Sequence, residues 1–412
     1  MKKHQVIVIG AGFAGIQFIQ NLDEDIFEVL LFDKLNHHQF QPLFYQVATS
    51  QIEPSSISFP LRKIFQKRKN IQIRLAEVKK IEPDHKQVVT NIGTYDYDFL
   101  VIATGCRTNF FGNKEIKKHA YGLKTTFDAI KLRNQILTNF EKAISVEGEE
   151  KEPLLNIVIV GAGPTGVELA GAFAEIKNYI LPKDYPHINF NNLRIILLEG
   201  SHHTLNNMSD SAKMNSELYL KNMGVEVKTG VFVKNYDGLI AELNNGETIK
   251  TKSLIWAAGV KGEPAGAILN LPLDGTRIDV DPTLAVSHYP YVWAIGDISG
   301  AKGEDGRFLP QVAPVALQQG RFVAAQIIRL AAGKALQPFK YRDKGSMATI
   351  GRHKAVVQVG RFTMAGIPAW YAWLWLHLFY LLGGSNKIGT MADWTWNYLT
   401  FDRGNRHIMD SM

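Results

Sequence analysis

A chain of 412 residues, 46% hydrophobic and 21% charged, is long enough for two or three domains and too apolar for wholesale disorder. The formal charge of +7 comes without a long Lys/Arg run or zinc-type spacing, so nucleic acid is not expected; anionic lipid headgroups, an acidic cofactor or a plain basic surface remain. The single cysteine, Cys106, excludes structural disulfides, cysteine-ligated iron–sulfur clusters and a redox dithiol within this chain.

In chain order, a strand over 6–9 enters the turn Gly10-Ala11-Gly12-Phe13-Ala14-Gly15, and a helix over about 13–22 follows. The apolar stretch after Met1-Lys2-Lys3 is therefore this strand, and no cleaved leader is expected. A second strand over 28–33 ends on Asp33. The run Gln39-Phe40-Gln41-Pro42-Leu43-Phe44-Tyr45-Gln46-Val47-Ala48-Thr49 reads as a loop and short helix crossing the sheet's carboxyl edge. Residues 99–105 return as a strand ending in Ala103-Thr104-Gly105, and a helix covers about 125–145. The charged stretch 147–153 is a candidate boundary.

The same order then repeats. A strand over 156–160 enters Gly161-Ala162-Gly163-Pro164-Thr165-Gly166, a helix covers 164–177, and a strand over 194–199 ends on Glu199. Strands near 225–228 and 239–243 precede 254–259, whose ending Ala258-Gly259 echoes Thr104-Gly105. Residues 292–297, ending in Gly296-Asp297, and a helix over 312–332 return the chain to its first unit. The fold class expected is α/β, with two Rossmann-like dinucleotide-binding domains and a C-terminal helical membrane-anchoring segment. The boundaries expected are 1–115 with 270–335 for the first domain, 116–152 for a connecting helix and linker, 153–269 for the second domain, and 336–412 for the terminal segment.

Five of the seven tryptophans lie after residue 369. Residues 369–382 are apolar all round except His377, but as a helix they reach only about 21 Å, short of the roughly 30 Å hydrocarbon core. After Gly383-Gly384, a second helix places Ile388, Met391, Trp394 and Tyr398 on one face, flanked by Lys387, Arg403 and Arg406. Such a segment suits a monotopic membrane foot. A core or dimer interface draws on the same residue types.

Each glycine turn lets backbone approach a pyrophosphate at a helix N-terminus, and each following carboxylate can accept hydrogen bonds from an adenosine ribose. Two turns with full context point to two dinucleotides. Asp297, after its strand, offers a second contact for the ribityl arm of FAD. FAD is therefore expected at Gly10, Gly12, Phe13, Ala14 and Gly15, with Asp33, Lys34, Gln46, Ala103, Thr104, Gly105 and Asp297. NADH is expected at Gly161, Gly163, Pro164, Thr165 and Gly166, with Glu199, Ala258 and Gly259. The Glu199 carboxylate favours NADH over NADPH by repelling a 2′-phosphate, although His202, His203 and Lys213 work against it. Hydride transfer then needs a nicotinamide held about 3–3.5 Å from the flavin, with no protein nucleophile.

With these turns in place, the chain resembles type II NADH dehydrogenase, the single-subunit NADH:quinone oxidoreductase of two-dinucleotide flavoprotein fold. The resemblance extends over nearly the whole length. It rests on the run from His38 to Thr49, on Gly163-Pro164-Thr165-Gly166-Val167-Glu168, on residues 313–320, and on Trp394-Thr395-Trp396-Asn397-Tyr398 with Arg403-Gly404. It implies hydride transfer from NADH to FAD and two-electron reduction of a membrane quinone, ubiquinone or menaquinone, without proton pumping. A peripheral protein on the cytoplasmic face of the cell membrane is expected, and a homodimer with it, although the same aromatic tail could serve either lipid or a twin subunit. By the same resemblance Glu168 lies near the nicotinamide and flavin rings, and Gln318 lines the quinone pocket and binds the flavin side. Pro314 departs from the family pattern, where glutamine is common, so the quinone pose is not carried over; Gln311 is a nearby substitute.

A disulfide reductase or sulfide:quinone oxidoreductase needs paired cysteines, and Cys106 reads as a small packing residue. The alternative is a soluble NAD(P)H-dependent FAD reductase of a small redox protein, which leaves the aromatic tail unexplained. A flavin-binding signalling protein is a third class, without an interaction domain to support it. No metal is expected: His37-His38 and His202-His203 lack further ligands at suitable spacing.

Overall fold

The computed structural model describes residues 3–186, 190–262, 270–402 and 404–409. Arg403, expected beside the terminal helix, lies outside them, as do Met1 and Lys2. The chain forms two compact units.

The first unit takes Met1–His38, Phe59–Arg107 and Val260–Asp343. Its six-stranded sheet has the spatial order Ala285–Val286, Tyr289–Ala294, Phe99–Ile102, His4–Ile9, Phe27–Asp33, Ile71–Leu75. Every pairing is parallel except that of the two-residue edge strand, and Ile9 sits opposite both Phe32 and Ile102. Parallel strands are covered on both faces; Phe99–Ile102 is accordingly buried throughout, with Leu100 and Ile102 sharing a core with Ile7, Phe32, Val292 and Ala294. Helices Phe13–Gln20 and Ala313–Ala331 pack together at Gly320, where a Cβ would stand 2.5 Å from the Ala14 carbonyl oxygen. A small antiparallel sheet of Val78–Glu82, Gln87–Thr90 and Gly93–Asp96 completes the unit, an element the glycine-turn reading passes over.

The second unit takes Gln39–Ser58, Thr108–Gly259 and Lys344–Met412. Its parallel sheet runs Val225–Thr229, Arg194–Glu199, Asn156–Val160, Ser253–Trp256. The helix expected over 125–145 forms as Thr126–Ile144, opened by a capping box between Thr125 and Asp128. The glycine-turn helix Pro164–Glu175 begins with proline at its first position, where the missing N–H costs nothing.

The terminal segment differs from an all-helical reading. Residues 346–365 form a three-stranded antiparallel sheet, Ser346–Gly351, Lys354–Val359 and Phe362–Ala365. The helix Pro164–Glu175 presses on it so closely that a Cβ at Gly171 would lie 2.1 Å from the Ile350 carbonyl oxygen. The alternating pattern that builds this sheet is short and stands next to a far stronger aromatic signal. Helices Ile367–Tyr380 and Gly384–Thr400 then follow at the expected places. Among the described residues, no helix is long and apolar enough to cross a membrane.

Candidate functional site

The two glycine turns are the same backbone object made twice. Gly10 and Gly161 both have φ of +100°, and at both a Cβ would collide with the neighbouring strand end, 2.4 Å from the Ala103 oxygen and 2.7 Å from the Ala258 Cα. At Gly15 and Gly166 a Cβ would strike the first glycine's own carbonyl, at 2.0 and 1.8 Å. Gly12 and Gly163 are different: a Cβ there meets nothing within 4 Å. That free approach at a helix N-terminus is the space a pyrophosphate requires.

The carboxylates repeat as well. Asp33 accepts from the Ala11 N–H at 2.6 Å and the Leu35 N–H at 2.7 Å. Glu199 accepts from the Ala162 N–H at 2.6 Å and the Ser201 N–H at 2.8 Å. Each oxygen thus keeps a lone pair for a hydroxyl while backbone fixes its orientation. Burial pushes the Asp33 carboxyl up, and the Leu35 and Ala11 amides pull against it.

Around the first turn, Thr104 buries a hydroxyl that meets no partner among the described residues. His38 is buried with Nδ1 3.2 Å from the Ala11 carbonyl, its ring edge-on to Phe13 and its Nε2 without a partner among the described residues. Burial lowers its pKa to about 4, so the ring is neutral. Sequence reasoning passed over His38 as a ligand; its signal is its place at the head of the 38–49 run. Two orphaned polar atoms beside an open glycine turn fit a polar, ring-bearing cofactor. Asp297 sits at the turn after Tyr289–Ala294, held by Gln319, whose Oε1 accepts the Gly296 N–H at 2.7 Å, and by Gln311, which donates to the Asp297 carbonyl at 2.7 Å. Gln311 is thereby engaged at this turn. Cys106 is half-buried rather than packed away, and its thiol donates to the Asp297 carboxylate at 2.7 Å. Lys34 is exposed and paired with Glu77 at 3.3 Å. Gln318 has both amide ends on backbone, donating to the carbonyls of Pro314 (3.2 Å) and Arg342 (2.9 Å) and accepting the Arg342 N–H at 3.0 Å. Pro164 and Thr165 are exposed at the second turn, with Ala258 half-buried and Gly259 exposed beside it.

In the second unit, a cavity of about 480 Å³ opens among Tyr45, Gln46, Glu168, Trp373, Trp394 and Tyr398. Glu168 is 9% exposed. Burial raises its pKa to about 8, against a backbone hydrogen bond at Thr349. The Trp373 N–H, which meets no acceptor at regular hydrogen-bond geometry, pulls more weakly in the same direction. Glu168 therefore keeps its proton at neutral pH, where a surface glutamate would not. Gln46 donates to the Tyr45 hydroxyl at 2.8 Å and accepts from the Trp394 indole at 2.7 Å. His377, the one polar residue in its apolar helix, stacks on Trp373 at 3.9 Å and bonds the Trp373 carbonyl at 2.8 Å. Burial lowers its pKa to about 4. Arg406, expected to flank a lipid-facing helix, instead pairs with Asp184 at 2.7 Å and Asp402 at 2.9 Å. Its fork finds carboxylates within the unit. Trp375 and Phe379 stack on each other at 67% and 60% exposure, and Lys387 stands over Phe379.

Residues 4–320 match the family model for pyridine nucleotide-disulphide oxidoreductases. The chain is 36% identical to the type II NADH:quinone oxidoreductase Ndh of Mycobacterium tuberculosis, covering 99% of this chain and 91% of that protein. It is 30% identical to the type II NADH:quinone oxidoreductase of Staphylococcus aureus, over 89% and 92% of the two chains. Among solved structures, NDH2 from Plasmodium falciparum in complex with NADH shares the fold, with a TM-score of 0.91, 21% identity, and coverage of 99% and 100%. A single cysteine leaves no dithiol for the chemistry in the broader family's name, and the relatives of similar length are quinone reductases within it. The chain belongs to the pyridine nucleotide-disulphide oxidoreductase family and, within it, to the type II NADH:quinone oxidoreductases.

Proposed function

We propose that this protein oxidises NADH and reduces a membrane quinone by two electrons, without pumping protons. The observation that carries the reading is the doubled cradle: two open glycine turns, each facing a backbone-locked carboxylate, in a member of this family. FAD held at the first turn supplies the group that accepts hydride from NADH and passes both electrons to the quinone. Gly10, Gly12 and Gly15 give the pyrophosphate its approach, Asp33 takes ribose hydroxyls, and Asp297 takes the ribityl arm. Thr104 and His38 offer their orphaned polar atoms to the same ligand. Gly161, Gly163 and Gly166 do the equivalent for NADH, with Glu199 on the free 2′-hydroxyl.

The reaction NADH + quinone + H⁺ → NAD⁺ + quinol consumes one proton beyond the hydride. Glu168, protonated near neutral pH inside the aromatic cavity, holds one at its carboxyl. Tyr45, Trp373, Trp394 and Tyr398 supply flat apolar walls that suit a quinone ring and exclude water. We place the lipid surface at the exposed face of the two terminal helices, where Trp375, Phe379 and Lys387 combine apolar rings with a cation. This face also argues against a soluble reductase. Residence on the cytoplasmic side, where NADH is available, and a homodimer sharing the apolar surface complete the proposal. The test is anaerobic titration of the purified yellow protein: NADH should bleach the flavin band, and a water-soluble quinone should restore it. A band unmoved by NADH, or restored by ferricyanide but by no quinone, refutes the assignment.

A further inference from the structure

A second cavity of the second unit, about 330 Å³, contains a charge that nothing in the proposed reaction uses. One wall is apolar: Ile136, Leu137 and Phe140 from one helix, with Phe173, Ile176 and Ile180 from the glycine-turn helix and its continuation. At its side stands Arg133, 1% exposed. Among the described residues, none of its three guanidinium nitrogens has a hydrogen-bond partner. The polar groups at the rim, by contrast, satisfy one another. Tyr185 donates to Glu141 at 2.6 Å, and Arg406 pairs with Asp184 at 2.7 Å. The Glu53 carboxylate acts on Arg133 through space, but the fork itself has no hydrogen-bond partner among the described residues and stands against an aliphatic and aromatic wall. Buried charges are ordinarily paired, and a guanidinium matches a carboxylate or phosphate with two parallel hydrogen bonds.

We propose that this cavity binds a single-chain amphiphile with an oxyanion head, the head on Arg133 and the chain along the Leu137–Phe173 wall. Pockets of this size, with an apolar wall and a few placed polar groups, are typical of small-molecule sites. The site is separate in composition from the Glu168 cavity, sharing only Ile180 among the lining residues.

The experiment titrates the full-length, FAD-loaded protein with cis-parinaric acid, following its fluorescence, and repeats the titration with the methyl ester. Wild type should show one saturable site for the acid, with the ester weaker by roughly tenfold or more. Arg133→Met should weaken the acid by a similar factor while keeping its FAD and an equal or higher denaturation midpoint, because an orphan charge has been replaced by an apolar chain. Leu137→Trp, which fills the cavity, should weaken acid and ester together. Displacement by oleate assigns a carboxylate head, and displacement by oleoyl lysophosphatidate a phosphate. Equal binding of acid and ester overturns the proposal, as does undiminished acid binding by Arg133→Met or displacement by neither competitor; the probe would then lie on the aromatic foot, with Arg133 merely hydrated. The acid-to-ester comparison uses wild type alone and stands if the variants fail to fold.

Discussion

Replacing Glu168 with glutamine turns a pH-dependent cost into a constant one. In the fold the carboxyl titrates at about 8, against an ordinary value of 4.5. Below the lower value both the folded and the unfolded chain hold the proton, and burial costs nothing through ionisation. Between the two values the unfolded chain has released its proton and the folded chain has not. The native state then binds more protons, so stability falls as pH rises. Above the higher value the buried carboxylate is ionised and the cost stays level at about 5 kcal/mol. Glutamine has the same shape and no charge at any pH. The stability of Glu168→Gln minus that of wild type should therefore climb by about 3 kcal/mol between about pH 5 and 7.5, then flatten above about pH 8. Guanidinium unfolding of both proteins at matched FAD content, followed by tryptophan fluorescence across that range, measures the difference directly. A difference that is flat with pH refutes the claim that burial holds this proton. Quinone turnover provides a companion reading, since its fall-off near pH 8 should disappear in the variant.

Other expectations concern the turns and the foot. Gly12→Ala should fold with a wild-type midpoint but retain little FAD, because its Cβ meets no protein atom and occupies only ligand space; Gly10→Ala, 2.4 Å from the Ala103 oxygen and at positive φ, should be destabilised as well. The 450 nm absorbance of the purified variants with their melting curves separates the two. Glu199→Ala should raise the ratio of NADPH to NADH kcat/KM by about tenfold, or about 1.4 kcal/mol, through loss of 2′-phosphate repulsion and of a ribose acceptor; an unchanged ratio would remove this residue from coenzyme choice. Trp375→Ser with Phe379→Ser should lower liposome binding by roughly a hundredfold or more, given about 1.5–3 kcal/mol for each large apolar side chain, while NADH:ferricyanide activity persists. Co-sedimentation with vesicles reads the first effect, and undiminished sedimentation would move the lipid contact elsewhere.

Much of this molecule could be read directly because its strongest signals are local. A run such as Ile157-Val-Ile-Val ending in Gly-x-Gly-x-x-Gly has one low-energy outcome, a buried parallel strand turning into a helix, and the chain states it twice. The carboxylates Asp33 and Glu199 were visible for the same reason, each closing the next strand. The sheet over 346–365 was harder to see. Its strands are short, and its reason for existing is the helix Pro164–Glu175, nearly two hundred residues earlier, which it meets at Gly171. His38 is not legible in the same way, since nothing in its neighbours says that its ring will lie against Phe13 with one nitrogen unpartnered among the described residues.

Sequence alone determined the two cradles, their order and the exclusion of dithiol chemistry, because turn geometry and cysteine count are properties of consecutive or counted residues. Only the tertiary structure decided the protonation of Glu168, the engagement of Arg406 and the burial of the Arg133 guanidinium without a hydrogen bond among the described residues. Those outcomes depend on dielectric surroundings and on partners brought from distant parts of the chain. A glutamate on a helix reads alike whether it faces water or tryptophan, and its charge changes with that difference.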